Sequence, residues 1–335
     1  MTKSHISPKA IRSIKILDDY FPNISSGVFK PEDFSHPSAY LELKDGTQRC
    51  SVLKVSKRCN QKFNKGYLVT TNEGHIFAIG HCCTKDKLQQ EHSQILEQLQ
   101  SFSKEASLEE DLEAYISHLS EKDNMLALIE STLFKYRRLK ENIFGYLDSV
   151  PQVLKTELLR RAKSRNSKII IETLHYKDET GSLVKPSENE QTEKVWVKRS
   201  IGQVDNIYVL NTEILRPIWV ELKSIKKLWT ALNDTPPERR LNKTNSELSN
   251  AKGRLEHLDG ELATLNLKFE EFQKVETQLL ILYVTKHVGA REQFAKQLHS
   301  KGAFTNLRLT NRNIVGQLDR DICANFECAG YRVAA

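Results

Sequence analysis

Glycine and proline are scarce in this chain, 14 and 9 in 335 residues. So few turn-forming and helix-breaking residues exclude a loop-rich scaffold and favour long helices. No stretch approaches the ~20 consecutive apolar residues that cross a bilayer. The opening "MTKSHISPKAIRSIKIL" lacks the apolar run of a secretory leader, so a cytoplasmic protein is expected. In a reducing compartment six cysteines do not make a disulfide framework, which leaves metal ligation or core packing to account for them. A glycine-rich phosphate loop, an HExxH pair, a G-x-S-x-G elbow and a dinucleotide fingerprint are all missing. No catalytic residue is assigned, and a non-enzymatic role is expected; a nuclease built from dispersed acids is the enzymatic alternative.

The net charge of +7 is unevenly distributed: residues 1–90 carry +6, 91–150 carry −6, 151–240 carry +5 and 241–335 carry +2. Between Arg49 and Lys65 lie Arg49, Lys54, Lys57, Arg58, Lys62 and Lys65 with no acidic residue among them. "KTELLRRAKSRNSK" places Arg160, Arg161, Lys163 and Arg165 in a second basic run, opposed by Glu157 alone. Clustered cations beside a folded site are the electrostatic footprint of a nucleic-acid binder, DNA or RNA; a solubilising surface is the alternative.

The hydrophobic pattern predicts an α+β protein. "YLELKDGTQRCSVLKV" and "GYLVTTNEGHIFAI" alternate around the turns "KDG" and "NEG", which predicts two hairpins. A unit this small buries little and needs a metal or a neighbouring element. Helical periodicity follows, with Thr84 as the expected cap and Leu112, Leu119, Leu126, Leu133 and Leu147 on one line. "KIIIETLHY" and "EKVWVKRSIGQVDNIYVL" return to period two and predict a second β unit. Beyond it Leu241, Leu248, Leu255, Leu262 and Phe269 repeat every seven residues, with Ala251, Leu258, Leu265, Phe272 and Leu279 three further on. The expected segments are an N-terminal extension (1–36), a small zinc-finger-like β domain (37–87), a first helical arm (88–165), a second small β unit (166–211), a coiled-coil return arm (212–290) and a C-terminal segment (291–335). The simplest packing folds the arms antiparallel; the alternative pairs two copies of the chain through the Leu241–Leu279 helix.

Zinc takes four thiolate or imidazole ligands in a tetrahedron and staples β units that lack a core. Cys59 and Cys83 both fall at the open end of the second hairpin, where a helix N-terminus favours a thiolate. Cys50 reaches them only if its own hairpin folds over, and His81 completes the candidate set. Of the adjacent pair Cys82 and Cys83, one is read as packing and Cys83 as the ligand. Cys323 and Cys328 are read as packing residues, and no CxxC spacing is present.

"GYLVTTNEGHIFAIGHCCTKDKL" resembles a segment of poorly characterised bacterial and phage proteins, in which a G-Y-x-V strand, a turn and an I-G-x-x-C ending precede a helix. "RSIGQVDNIYVLNTEILRPIWVELKSIKKL" is similar to a second segment of them. The resemblance implies Cys83 as the matching thiol and a phage or bacterial setting; those proteins continue with a histidine where this chain has Lys87. The resemblance carries no function; from the basic clusters and the cysteines the expectation is a nucleic-acid-binding protein with a zinc-stabilised basic β domain on a coiled-coil frame. Its alternative is a protein–protein interaction scaffold in a mobile-element or antiphage defence assembly.

Overall fold

The computed structural model describes residues 10–54, 56–178, 180–184, 193–232, 238–302 and 314–333. The start of the N-terminal extension, most of the polar loop inside the second β unit and nearly all of "NDTPPE" lie outside them. The chain divides into two compact units, Met1–Lys122 with Leu232–Ser249 and Asp123–Ala231 with Asn250–Ala335. It is α+β, with several small sheets and long helices.

The first unit opens with β1 (Ala10–Ile11) and α1 (Ile14–Tyr20), whose first turn is capped by the Ser13 hydroxyl accepting from the Ile16 N–H. Then come β2 (Phe34–Glu42), four two-residue strands β3 (Gln48–Arg49), β4 (Leu53–Lys54), β5 (Lys57–Arg58) and β6 (Lys62–Phe63), and the long pair β7 (Lys65–Thr71) and β8 (Ile76–Gly80). The main sheet has the order β1-β2-β7-β8 and is antiparallel except for β1 beside β2. β3 pairs with β6 and β4 with β5, forming two short ribbons beside it.

The "NEG" hairpin forms as read, with Gly74 at φ 81 taking the left-handed position that the turn requires. The "KDG" hairpin does not form. Its backbone is engaged elsewhere: Leu43 N–H donates to Asn64, Lys44 N–H to Arg12, and the Asp45 carboxylate accepts from Ile14 N–H. Its flanking strands pair instead with β7 and β6.

Alternation along β7 and β8 sends Tyr67, Val69, Phe77 and Ile79 to one core, shared with Phe29, Cys50, Cys83 and Leu99. Leu68 and Ala78 go to the other, shared with Ile11, Leu17 and Leu41. Both faces of the main sheet are therefore covered.

β8 leads directly into α2 (His81–Glu91) and then α3 (Ser93–Ser149). α2 starts at His81, three residues before the expected cap at Thr84; Gly80 is the N-cap, and the Thr84 hydroxyl bonds back to the Gly80 carbonyl.

In the second unit α4 (Gln152–Ser164) precedes a sheet of β9 (Lys168–Lys177), β10 (Leu183–Val184) and β11 (Glu193–Gln203), followed by α5 (Arg216–Thr230) and α6 (Glu238–Phe272). The chain continues through α7 (Val275–Ile281), α8 (Val288–Ser300), α9 (Ile314–Asn325) and β12 (Gly330–Val333). β12 adds to the edge of β9 opposite β11. It is held there by the buried Arg291, which donates to the Tyr331 hydroxyl, Asp319 and the Leu282 carbonyl. The sequence showed this C-terminal segment only as helical or turning.

The long helices run parallel, which corrects the antiparallel expectation. In the first unit Asp111 accepts from Asn245 and His118 meets Ser249; in the second Asp259 accepts from Thr132 and Lys135, and Tyr146 packs on Phe269 and Phe272. Residue numbers on α3 and α6 rise together. The return leg is α5: Lys226 pairs with Glu130 and Trp219 stacks on Tyr136, so its numbers fall as those of α3 rise.

The α6 series from Leu241 to Phe272 is buried as read, whereas Leu112 and Leu119 on α3 are exposed and Tyr115, Ile129, Leu133, Tyr136 and Ile143 form its packed stripe. Among the described residues no helix is long and apolar enough to cross a membrane.

Gly66 and Gly80 face each other across β7 and β8, and the Phe63 ring lies over both. A Cβ at Gly66 would strike the Ile79 carbonyl and that ring. Gly66→Ala is expected to destabilise the first unit by about 1–3 kcal/mol in chemical denaturation; Gly253→Ala, at an open position on α6, should be neutral or stabilising.

Candidate metal centre

Three cysteines reach one place by three different routes. β3 hands the chain to Cys50, whose N–H donates to Gln61 and whose carbonyl accepts from Asn60. β5 delivers Cys59, whose N–H donates to Val52; Asn60, at φ 55, then turns the chain back. Cys83 lies in the first turn of α2, held by the end of β8. The ribbons thus do what the sequence left conditional and fold Cys50 over the hairpin end.

The sulfurs of Cys59 and Cys83 are 3.4 Å apart, and the sulfurs of Cys50, Cys59 and Cys83 all lie within 4.8 Å of one another. A disulfide needs about 2.05 Å, so these are free thiols. Sulfurs around tetrahedral zinc, each about 2.3 Å from the ion, stand about 3.8 Å apart. The three-sulfur spacing fits such an ion.

The electrostatics favour exchange of protons for a cation. Burial pushes the Cys83 thiol far above its ordinary value, and the adjacent Cys59 and Cys50 push it further. Burial also raises Cys59, but hydrogen bonding at Gln61, the Cys83 thiol and the charge of Lys54 outweigh it and leave Cys59 below the ordinary value. Of the two, Cys59 is the more readily ionised, and the Cys83 thiol lies 3.4 Å from its sulfur. The Gly80 N–H donates to the Cys50 sulfur at 3.4 Å.

His81, expected as the fourth ligand, begins α2 with its side chain exposed and stands outside the group of three. Among the described residues no further histidine, cysteine, aspartate or glutamate joins them. His81 and Cys82 instead border a cavity of about 300 Å³ that also touches Cys50, Cys83, Lys62 and Phe63. Cys82 is exposed rather than packed. Cys323 and Cys328 are half-buried, and burial next to Cys328 lifts the Cys323 thiol to about 11.

The expected phosphate contacts fall into distinct groups. Arg49 is opposite Lys62 across β3 and β6, and Lys54 is opposite Lys57 across β4 and β5. Arg58 is built into the fold, donating to the carbonyls of Cys50 and Ser26 and to the Ser51 hydroxyl, which removes it from the contact set. Lys65 pairs with Glu42 at 2.5 Å.

In the second unit Arg161 is buried between Glu157 and the Lys168 carbonyl and likewise leaves the set. Arg160 is exposed but bonded to the same Glu157. Lys163 is exposed; Arg165 caps α4 in the left-handed conformation, its guanidinium over the Tyr208 ring. The opposition of like charges was invisible in the sequence because it depends on register.

Purified protein is expected to carry one zinc per chain. Cys59→Ser and Cys83→Ser should lose the ion and melt lower, with Cys82→Ser unchanged, read by metal quantification and thermal denaturation. In metal-free protein, alkylation mapped by mass spectrometry should modify Cys59 first as pH rises, below the ordinary thiol value near 9, while Cys83 stays protonated and lags above it. No protein-family model, curated protein or solved structure matches the chain, so the site's chemistry rests on its own geometry.

Proposed function

We propose that this is a non-enzymatic nucleic-acid-binding protein in which zinc, held by Cys50, Cys59 and Cys83, fixes a cationic ribbon surface for phosphates. The observation that carries this reading is the register of the ribbons: Arg49 opposes Lys62 and Lys54 opposes Lys57. Like charges directly opposite in a sheet are destabilising, and a polyanion laid across them reverses the sign of that contribution. The two ribbons are also the elements that present Cys50 and Cys59.

Zinc and three thiolates together leave one negative charge, which Lys54 offsets at Cys59. Arg49, Lys57 and Lys62 remain as exposed cations without that task. In this reading α3 and α6 form a coiled-coil frame.

A second reading, a partner-binding scaffold, is favoured by one feature. Leu112, Ile116 and Leu119 lie on one face of α3 in the first unit and are 38%, 56% and 40% exposed. Leu255, Leu258 and Leu262, by contrast, are interior and cannot serve as a docking face.

Affinity for a DNA or RNA duplex should fall steeply with salt. Replacing Arg49, Lys57 and Lys62 with glutamine should reduce the slope of log K against log salt by about 0.9 for each lost phosphate contact. Binding indifferent to salt, with a partner protein retained only while Leu112, Ile116 and Leu119 are intact, would support the scaffold instead.

A further inference from the structure

Within the second unit, α3 carries the segment "FKYRRLKENIF", Phe134 to Phe144, which holds Lys135, Arg137, Arg138 and Lys140 against Glu141 alone. It is a cationic island in a part of the chain that is otherwise acidic. Phe134, Arg137, Glu141 and Phe144 recur at helical spacing and share one outward face. Phe134 is 63% exposed and Phe144 43%. Two phenylalanines in water are costly on a stretch of helix that buries the neighbouring Tyr136 and Tyr146 in the adjoining core.

The start of α5 stands across from this face. Between them lies a groove of about 600 Å³, bordered by Arg137, Lys140, Phe144, Arg216 and Trp219. Tyr136 and Trp219 line it and stack with centroids 5.3 Å apart and planes 23° from parallel. Lys223 lies 4.5 Å over Trp219 and Lys140 5.7 Å over Phe144.

The neighbouring cations Lys135 and Lys226 are engaged by Asp259 and Glu130. Arg137, Lys140 and Arg216 form no ion pair among the described residues. Glu141 and Glu213 also border the groove. Those carboxylates disfavour a bare polyphosphate but can accept hydrogen bonds from a base amino group or a sugar hydroxyl.

We propose that this groove binds a nucleobase together with its phosphate, the base stacking on Phe144 and the phosphate meeting Arg137 and Arg216. Exposed rings interleaved with unpaired cations are what single-stranded nucleic acid requires, since every base offers a π face and every linkage a charge. A free nucleotide offers the same two features. The site stands on the second unit alone and does not depend on zinc or on the ribbon cations.

The test uses the full chain with its metal. Anisotropy would follow a labelled twelve-residue oligoadenylate and a labelled duplex of the same length, with adenosine monophosphate as competitor. Phe144→Ala should weaken single-strand binding by about 5- to 150-fold, leave duplex binding unchanged, and be rescued by Phe144→Tyr. Arg137→Gln with Arg216→Gln should weaken it further and flatten its salt dependence.

Competition by the monophosphate assigns the groove to free nucleotides, and binding of the oligomer without such competition assigns it to strands; both outcomes support the site. If the Arg49, Lys57 and Lys62 variant binds duplex as wild type does while Phe144→Ala still weakens the single strand, the ribbon reading fails and the groove stands. The proposal is overturned if Phe144→Ala and the double arginine variant bind oligomer and monophosphate as tightly as wild type. It is overturned equally if the wild-type protein binds neither.

Discussion

Two-residue strands do not hold themselves together. β3, β4, β5 and β6 each contribute a pair of residues, and isolated ribbons of that size are not stable in water. Backbone bonds tie them to the main sheet, Ser51 N–H to the Ala78 carbonyl and Phe29 N–H to the Ser51 carbonyl, and Cys50 and Cys59 meet Cys83 at the junction of β8 and α2. Arg58 reinforces it by tying the carbonyls of Cys50 and Ser26 together. Burial among the other thiols raises the cost of ionising Cys83, whereas Cys59 lies below its ordinary value. The divalent ion proposed for this site would remove that cost by taking the place of the protons.

Much of the frame was legible in the residues because local physics determines it. Asn72–Gly74 is a turn wherever it occurs between alternating strands, and the α6 heptads bury the side they mark. Helix direction was not legible. A heptad names the buried face but not the orientation of its partner, and α5 supplies the return leg that the antiparallel guess assigned to α6.

The "KDG" hairpin failed for a related reason: Leu43, Lys44 and Asp45 found partners in Asn64, Arg12 and Ile14, far away in sequence. In the candidate site, Cys59 and Cys83 could be placed from the hairpin and the helix start. The approach of Cys50, the opposition of Arg49 to Lys62, and the engagement of Arg58 and Arg161 in the interior all depend on register and tertiary contact, which composition does not carry.

The charges divide accordingly. Cations with a carbonyl or carboxylate partner, such as Arg58, Lys65 and Arg161, stabilise the fold. Cations set against one another, as on the ribbons, repel, and these, with the cations beside exposed rings along Phe134 to Phe144, are the ones for which an anionic ligand is proposed. The proposal of a polyanionic ligand rests on this contrast more than on the net charge of +7.

The ion proposed at the three sulfurs of Cys50, Cys59 and Cys83 can be tested directly. X-ray absorption at the zinc edge on purified protein measures the atoms around the metal without reference to function. Three sulfurs per zinc at about 2.3 Å is the result expected here. A shell of nitrogen and oxygen only, or protein that purifies without metal and holds its first unit equally well, would contradict it.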